Sequence, residues 1–558
     1  MPRRPHRICA LLLLLVVATT AAFGSAYNAR PKLIVIIIID QFRGDYLERA
    51  REQLGEGGFR LFLDRGAYFT DCNYDYANTR TAPGHATLAT GAYTNGHGIL
   101  ANEWWDPVKK RVVTAVQDDA TKLIGIAGAG SGSSPRNLLA STLGDELKLA
   151  TQGKARVYGI ALKDRAAIMS TGWAADGAYW IDASSGAWIS STYYAAALPS
   201  WVQQFNSGRR ADKYWNLEWK DSSGKLLRST APQKKASGAS AGFYDVVGST
   251  PFANDYELEF ARELIVNEKL GAGPATDLLV ISFSAPDILG HQAGPDSRET
   301  QAMVLALDRL LSEFFGFLGR QIGLANIWMA FSSDHGVAPL PADAAKLRLS
   351  APPAEPEQVR KQINAAVSAK LGRAADYVRF VQWPNAYLSE EAFAAARLSE
   401  ADAERLVGQA LQKTGARSYF TRAQLESGDV PQDALGRKYL HSRSPYGGWY
   451  VLGVPPIFSV PGKSGTDHVT PYTYDTHVPL AFYGLPFPPG VYRTHAEPVD
   501  LATTLASLLG INAPTHATGR VLTEMLGRGS TPAVATGLGI VVPNAGVPAH
   551  SISPEAPR

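Results

Sequence analysis

Four short stretches of the chain are apolar throughout and do not alternate between apolar and polar residues. They are rich in β-branched side chains, and each stops at polar or glycine-containing sequence. This pattern predicts strands that are buried on both faces of a parallel sheet. The predicted strands are Leu33–Ile39, Val157–Leu162, Asp277–Phe283 and Ile327–Phe331.

Segments with helical periodicity separate these strands. The predicted helices include Arg136–Leu149, which follows Ser134-Pro135, as well as Asn254–Leu270 and Arg298–Leu318. Strands that alternate with helices are typical of βαβ units. The sequence therefore predicts an α/β fold with a central, mostly parallel sheet and helices on both faces.

Two long stretches interrupt the alternation of strands and helices. Residues 172–251 carry many tryptophans among Ser, Gly and Lys, and residues 339–453 begin Pro-rich and continue as Ala-rich helices. We interpret both as insertions at the edge of the sheet that form the walls of a substrate pocket. Together with the predicted strands they would form one catalytic domain over residues 31–526.

The first 26 residues are typical of a secretory signal peptide. Three arginines within the first seven residues precede the apolar run Leu11–Val17, and small residues follow at Ala22–Ala26. The apolar run is too short to span a bilayer comfortably, although an uncleaved anchor is the alternative interpretation. We therefore expect a periplasmic or secreted protein with no transmembrane segment after cleavage of the leader.

Composition narrows the classes of function. The 558 residues are 45% hydrophobic and 19% charged, which is typical of a globular protein. The net charge is +3, and the leader supplies three of the positive charges, so no basic surface for nucleic acid is expected. Residues 529–558 are rich in Gly, Pro, Ala and Ser without periodicity, which predicts a flexible tail.

Acidic residues follow three of the predicted strands. Asp40 comes directly after the first strand, Asp287 and His291 follow the third, and Asp334 and His335 follow the fourth. The carboxyl ends of such strands form the ligand-binding edge of an open α/β sheet. Each Asp alone is typical of a loop or cap, but a buried unpaired carboxylate costs several kcal/mol. Because three strands each deliver an acidic residue to this edge, the sequence predicts a bound cation. A site of Asp and His ligands suits Zn²⁺.

A threonine-containing motif lies between the first two strands. The segment Asn78–His85 contains Thr81-Ala82-Pro83-Gly84-His85 and is typical of a helix entry with a hydroxyl at its positive end. An ordinary N-cap is the alternative interpretation. For His85 we expect a supporting or packing role rather than metal ligation.

Four motifs occur in one order along the chain: Asp40–Leu47, Thr81–His85, Asp287-x-x-x-His291 and Ser333–Gly336. In combination they resemble the alkaline phosphatase superfamily. Within it, the chain is similar to the periplasmic, phosphate-irrepressible branch that uses a threonine nucleophile. The resemblance runs in pieces from about residue 32 to residue 526.

The resemblance implies two zinc ions and a catalytic threonine. It assigns Thr81 as the nucleophile, which also joins one of the ions. The implied ligands of one ion are Asp40, Asp334 and His335, and those of the other are Asp287, His291 and His468. His468 is assigned from its position before the segment 474–479. Relatives usually have glycine after this histidine, whereas this chain has Val469, so His477 stays a rival.

The resemblance also implies three substrate contacts, namely Asn102, Lys163 and Arg165. If Lys163, Asp164 and Arg165 are extended, alternate side chains face the same way and both cations reach one spot. These residues would hold the dianion of a phosphate monoester. A pair of solvated surface charges is the alternative interpretation.

The expected function is therefore that of a zinc-dependent phosphomonoesterase that forms a phosphothreonine at Thr81 and acts as a monomer on small-molecule phosphate esters. A nucleotide pyrophosphatase/phosphodiesterase-type hydrolase is the nearest alternative, and a non-catalytic secreted scaffold is an alternative from another class. A sulfatase would need Cys or Ser in place of Thr81, and a cofactor-independent phosphoglycerate mutase would use Ser and lack a leader.

Overall fold

The structure is a computed structural model that describes residues 30–126, 128, 131–231, 243–349, 354–462 and 465–526. The predicted leader, residues 1–26, and the predicted tail, residues 529–558, lie outside the described residues. Within these residues no helix has the length and apolar character that crossing a membrane requires.

The strands of the described residues are, in chain order, β1 Leu33–Ile39, β2 Ala67–Phe69, β3 Glu103–Asp106, β4 Arg111–Thr114, β5 Gln117–Ile124, β6 Ser131–Ser133, β7 Val157–Ala161, β8 Gly177–Ile181, β9 Trp188–Ser191, β10 Glu218–Lys220, β11 Leu226–Ser229, β12 Asp277–Phe283, β13 Ile327–Ser332, β14 Val378–Gln382, β15 Asn385–Leu388, β16 Ser418–Thr421, β17 Tyr450–Val454, β18 Leu480–Tyr483 and β19 Gly490–Tyr492.

The α-helices of the described residues are α1 Tyr46–Ala50, α2 Arg60–Arg65, α3 Thr81–Thr90, α4 Thr94–His97, α5 Leu143–Ala150, α6 Asp164–Met169, α7 Ser200–Ser207, α8 Phe243–Val247, α9 Pro251–Asn267, α10 Ala285–Ala293, α11 Arg298–Gln321, α12 Pro341–Lys346, α13 Pro356–Leu371, α14 Glu390–Ala395, α15 Glu400–Lys413, α16 Arg422–Ser427, α17 Ala434–His441, α18 Thr473–Thr476 and α19 Asp500–Leu509.

The main sheet has a parallel centre that is flanked by antiparallel pairings on both sides. Its strand order is β19-β2-β18-β13-β1-β12-β7-β8-β9-β5-β6. The strands β13, β1, β12, β7 and β8 are all parallel to their neighbours within this group. All seven residues of β1 are buried, as expected for a strand between two parallel partners. The predicted α/β fold is confirmed.

Alternate residues of β1 pack into two different cores, one on each face of the sheet. Val35 and Ile37 lie in the core that includes residues of α9 and α11. Ile36 and Ile38 lie in the core that includes residues of α5 and α19. Each buried isoleucine contributes about 1.5–3 kcal/mol relative to an exposed one. The run of isoleucines is therefore what fixes β1 between two helical layers.

The predicted helix Arg136–Leu149 is wrong at its beginning. Helix α5 begins at Leu143, because the Thr142 hydroxyl accepts the N–H of Asp145 and the Asp145 carboxylate accepts the N–H of Thr142. This reciprocal pair is a capping box, which satisfies backbone donors that the first turn leaves free. The helices α9 and α11 extend over most of their predicted ranges.

The two stretches interpreted as insertions differ from each other in structure. Part of residues 172–251 extends the main sheet, because β8 pairs with β7 and β9 pairs with both β8 and β5. Residues 339–453 contain β14, β15 and β16, which with β17 form a separate four-stranded sheet. The first stretch also contains β10 and β11, which pair as a separate two-stranded sheet, so each stretch carries a sheet apart from the main one.

Candidate metal centre and active site

The first group of candidate ligands lies at the carboxyl ends of β1 and β13. Asp40 directly follows β1, and Asp334 and His335 follow β13. The ligand atoms of these three residues lie within 4.8 Å of one another, and none of the side chains is exposed. Because β1 and β13 are adjacent and parallel, their ends deliver the three side chains to one point of the sheet edge.

The second group combines a helix with a distant loop. Asp287 and His291 lie four residues apart on α10, so they share one face of this helix. His468 comes from the loop that precedes α18, and its ligand atom lies within 4.8 Å of those of the other two. His468 also stacks on His335, with ring centroids 3.6 Å apart, so the two groups are in contact.

The backbone orients all three histidines. Nδ1 of His291 lies 2.8 Å from the Thr466 carbonyl oxygen, Nδ1 of His335 lies 2.9 Å from that of Gly336, and Nδ1 of His468 lies 2.5 Å from that of Thr79. A carbonyl only accepts, so each Nδ1 carries a proton, and Nε2 is the nitrogen that is left to bind a metal ion. This arrangement is typical of histidines that bind metal ions.

Three ligand atoms of the first group are buried and have no hydrogen-bond partner within the described part of the chain. They are Oδ1 of Asp40, Oδ2 of Asp334 and Nε2 of His335. Burial, and after it the charges of Asp287 and Asp334, raises the pKa of Asp40 well above its usual range. A divalent cation satisfies such atoms, so the residues present fit a metal ion of the kind that oxygen and imidazole ligands prefer.

The pKa values of the three histidines shift in different directions, and the two histidines of the second group differ from each other. Burial lowers the pKa of His335, and it lowers the pKa of His468 well below the usual range. Both rings are therefore neutral, which is the form that binds metal ions. Burial also acts to lower the pKa of His291, but the Asp287 carboxylate outweighs it and raises the pKa to about 10.

Lys163 connects the two groups. Its Nζ donates to Oδ2 of Asp40 at 2.6 Å and to Oδ2 of Asp287 at 2.5 Å. Burial lowers the pKa of Lys163, but the two carboxylates outweigh this effect and raise it, so the ammonium stays charged. Each aspartate thus uses one oxygen for Lys163 and leaves the other facing its own group of ligand atoms.

The prediction that Lys163, Asp164 and Arg165 form one extended segment is wrong. Lys163 is extended, with φ −95° and ψ 132°, but α6 begins at Asp164. The Asp164 carboxylate accepts the N–H of Arg165 at 2.7 Å, and an acidic side chain favours the first turn of a helix. The Nε of Arg165 is nevertheless buried and has no hydrogen-bond partner among the described residues.

Thr81 is the first residue of α3 and is buried. Helix α3 packs tightly on the first ligand group, because a Cβ on Gly84 would lie 2.6 Å from the Cβ of Asp334. Oδ1 of Asn102 accepts the N–H of Ala82 at 2.8 Å. The threonine, the asparagine and the first ligand group are therefore neighbours in space, although they lie in separate segments of the sequence.

His85 supports this arrangement and belongs to neither group of candidate ligands. Its Nδ1 lies 2.8 Å from the Thr81 carbonyl oxygen and 3.3 Å from Oδ2 of Asp334, and its Nε2 lies 2.7 Å from the Ser282 hydroxyl. His477 is also in neither group, and its Nε2 lies 2.9 Å from the Thr70 carbonyl oxygen. Of the two rival histidines, the structure brings His468 to Asp287.

Val469 occupies a backbone conformation that favours glycine. Its φ is +93°, which a β-branched residue rarely adopts. Its N–H donates to the Thr79 hydroxyl at 3.1 Å, and the same hydroxyl accepts the N–H of Thr470 at 3.0 Å. The departure from glycine noted in the sequence therefore falls at a position where the backbone is strained and held by Thr79.

Sequence reasoning missed Gln41, which contacts both groups. Its N–H donates to Oδ1 of Asp334 at 3.1 Å, and its side-chain amide donates to Oδ1 of Asp287 at 2.7 Å. Gln41 has φ +63°, so the chain turns sharply directly after Asp40. The sequence signal was that Gln41 is polar and lies next to the predicted ligand Asp40. Its contacts with both groups depend on the sharp turn of the chain, which the sequence does not show.

Comparison with known proteins places this arrangement in a family. The profile of the family described as type I phosphodiesterase / nucleotide pyrophosphatase matches residues 34–433. The chain belongs to this family. Relatives of this chain carry different names. A protein of Myroides odoratus named calcium-transporting ATPase is 32% identical over 91% of this chain and 96% of its own length.

A further relative is an alkaline phosphatase by name. Alkaline phosphatase PafA of Elizabethkingia meningoseptica is 31% identical over 89% of this chain and 95% of its own length. The crystal structure of wild-type PafA superposes with a TM-score of 0.79 at 29% identity and covers 89% of this chain and 99% of that chain. The resemblance to the alkaline phosphatase superfamily is confirmed.

Proposed function

We propose that this member of the type I phosphodiesterase / nucleotide pyrophosphatase family is a phosphomonoesterase of the alkaline phosphatase kind. Two zinc ions would be held by Asp40, Asp334 and His335 and by Asp287, His291 and His468. The observation that carries this proposal is that two ligand groups in mutual contact, buried except for the half-buried His291, lie beside a helix that begins at Thr81. The similarity to proteins named alkaline phosphatase supports it.

The donor set fits zinc. Each group combines carboxylate oxygen with imidazole Nε2, the ligands that zinc binds in tetrahedral sites, and three protein ligands per group leave a position for Thr81 or substrate. Two such ions lower the pKa of a bound hydroxyl and stabilise charge on the attacking and leaving oxygens of an in-line displacement.

The residues of the chain would then perform a double displacement. Oγ of Thr81 forms a bond to phosphorus as the ester P–O bond breaks, and the departing alcohol takes a proton from water while the threonine proton passes to solvent. Water then attacks the phosphothreonine, breaks its P–O bond and releases phosphate. Oδ1 of Asn102 already accepts the N–H of Ala82, so Asn102 would meet a phosphate oxygen through its Nδ2 donors.

Two cations favour a monoester over a diester. Lys163 is charged and buried beside both groups, and the Nε of Arg165 is buried without a partner among the described residues. A phosphate monoester carries a second negative charge that such cations stabilise, whereas a diester carries only one. A diesterase stays the second candidate, because the matching family is described as a phosphodiesterase family.

Arg165→Ala tests the preference for monoesters. Lys163 is less suitable as a probe, because its removal also unpairs Asp40 and Asp287. We expect kcat/KM for phenyl phosphate to fall about 10²-fold, as removal of one charge-stabilising donor does elsewhere, and kcat/KM for bis-phenyl phosphate to fall much less. Arg405→Ala is the control, because this arginine is 59% exposed and its partner Asp402 is 46% exposed. A wild-type preference for the diester that Arg165→Ala leaves unchanged would contradict the proposal.

The proposed content of two zinc ions is tested on the purified wild-type protein. Elemental analysis should find two equivalents of zinc per chain, and manganese in their place would contradict the metal assignment but not the reaction. The periplasmic or secreted location, cleavage of the leader and the monomeric state stay predictions. They are tested by cell fractionation, by N-terminal sequencing and by sedimentation.

A further inference from the structure

A cavity of about 580 Å³ lies against the candidate active site. Its wall includes Lys163 and Arg165 on one side and Ile288 and Gln292 of α10 on another. These last two residues directly follow the candidate ligands Asp287 and His291 in the sequence. The cavity therefore begins where the second ligand group and the two cations are, and this volume is typical of a site for a small organic ligand.

Much of the remaining cavity wall is apolar or aromatic. It includes Trp180, Ile189 and Tyr256 from the stretch 172–251 and α9, and Leu123 from β5. Trp180 is only 5% exposed, and the hydroxyl of Tyr256 donates to the Gly186 carbonyl oxygen, so both rings are held in place. Rigid aromatic walls of this kind bind flat apolar groups at a low entropic cost.

The charges around the cavity are arranged unequally. The cations Lys163 and Arg165 lie next to the ligand groups, and the wall also includes the acidic side chains of Asp164, Asp182 and Asp245. A ligand with its phosphate at the cationic end and an uncharged remainder satisfies this arrangement. A second phosphate on the same ligand would meet the acidic side chains and would be repelled.

The direction of the reaction agrees with the position of the cavity. Helix α3, which carries Thr81, packs on Asp334 of the first ligand group, whereas the cavity adjoins the second group. Attacking and leaving oxygens lie roughly in line in phosphoryl transfer. The organic group of the ester therefore departs from Thr81 towards the second group and the cavity.

We propose that this cavity binds the leaving group of the substrate and selects phosphate monoesters of uncharged aromatic alcohols over those of small aliphatic alcohols. This inference rests on the proposed phosphomonoesterase function. It assigns a specificity role to the stretch 172–251 that the two ligand groups alone do not supply.

Gly248 offers a way to fill the cavity without altering the catalytic residues. It is part of the cavity wall, its φ is not positive, and an added Cβ would meet only ordinary contacts, of which the nearest side-chain atom is Cδ1 of Ile288 at 3.8 Å. Gly273 is a matched control, because it too tolerates a Cβ and has no atom within 4 Å of it, but it is not part of the cavity wall.

The experiment measures kcat/KM of the zinc-loaded full-length protein for 1-naphthyl phosphate and for ethyl phosphate. Gly248→Leu should reduce the naphthyl-to-ethyl ratio at least about tenfold, since a filled apolar pocket discriminates on this scale. Gly248→Ala should reduce the ratio less, and Gly273→Leu should leave it unchanged. Because the two alcohols differ in intrinsic reactivity, only the change in the ratio between variants is interpreted.

The outcomes separate the two proposals. If the wild-type protein hydrolyses neither ester, the proposed function fails. If it hydrolyses both but Gly248→Leu lowers the two rates equally, or leaves the ratio as it is in Gly273→Leu, the assignment of the cavity is overturned. Retained hydrolysis of ethyl phosphate shows that the variant is folded. If Gly248→Leu does not fold, the naphthyl-to-ethyl ratio of Gly248→Ala is compared with that of the wild type instead.

Discussion

The backbone N–H of Val469 donates to the hydroxyl of Thr79 across 3.1 Å. This contact holds a residue with φ +93° directly after the candidate ligand His468, whose Nδ1 lies 2.5 Å from the carbonyl oxygen of the same Thr79. One threonine therefore fixes both the orientation of the imidazole and the strained backbone beside it.

Thr79→Val should destabilise the protein by about 1–3 kcal/mol, because the buried N–H of Val469 loses its acceptor. Thr470 has a second acceptor in Asp475 and should contribute less. Urea unfolding measures the change in stability, and zinc titration should show affinity reduced about 10–100-fold as the support of His468 loosens. Thr79→Ser keeps the hydroxyl and should behave like the wild type; equal effects of both substitutions would contradict this explanation.

Thr81→Ala should reduce the hydrolysis of phenyl phosphate at least about 10³-fold, because no other hydroxyl is assigned to form the bond to phosphorus. Thr81→Ser should retain part of the activity. Acid quenching during turnover followed by peptide mass spectrometry should find phosphate on residue 81 in the wild type and in the serine variant. Phosphate at another residue would contradict the assignment.

His468→Ala should reduce bound zinc from two equivalents to one, because His468 completes the group with Asp287 and His291. His477→Ala is the control, since the ring of His477 lies 2.9 Å from the Thr70 carbonyl oxygen and belongs to neither group of candidate ligands. Elemental analysis after dialysis gives the result. Loss of zinc from His477→Ala with full occupancy in His468→Ala would reverse the assignment.

Gly84→Ala should destabilise the protein by about 1–3 kcal/mol and lower activity, because the new methyl group would overlap Asp334 and push α3 away from the first ligand group. The same substitution at Gly316, in the interior of α11, meets only the end of the Arg320 side chain at 3.4 Å. Gly316→Ala should stabilise the protein by about 0.5–1 kcal/mol through helix propensity. Thermal unfolding distinguishes the opposite signs.

Lys163→Met should destabilise the metal-free protein by about 3–5 kcal/mol, because it leaves the buried carboxylates of Asp40 and Asp287 without their shared partner. Lys148→Met is the control: Lys148 is buried to a similar degree, but its partner Asp176 is half-exposed, and about 0–1 kcal/mol is expected. Urea unfolding after chelation measures both. Equal losses of stability in the two variants would contradict the claim that Lys163 stabilises the protein by pairing with two buried carboxylates.

Much of the sheet could be predicted from the sequence, because uninterrupted apolar runs leave few alternatives to a buried parallel strand. The predicted ranges of β1 and β12 agree with the structure to the residue, and those of β7 and β13 differ by one residue at the carboxyl end. Asp40, Asp287 and Asp334 follow from these strands, since parallel strands end at one edge.

Local details were harder to predict where competing signals occur close together. Pro135 suggested a helix start, yet the capping box of Thr142 and Asp145 places the start eight residues later. The helix that begins at Asp164 was not predicted, because it follows an apolar strand almost directly in the sequence. The contacts of Gln41 and the cavity wall depend on a positive φ and on segments far apart in sequence, and no periodicity encodes either of them.

The position of Lys163 has a consequence for how the protein matures. The charged ammonium between two buried carboxylates offsets their repulsion, so Asp40 and Asp287 are held together without a metal ion. Small zinc domains, by contrast, stay unfolded until they bind their ion. In such a chain folding and metal loading are separable steps, in contrast to a domain whose folding depends on its ion.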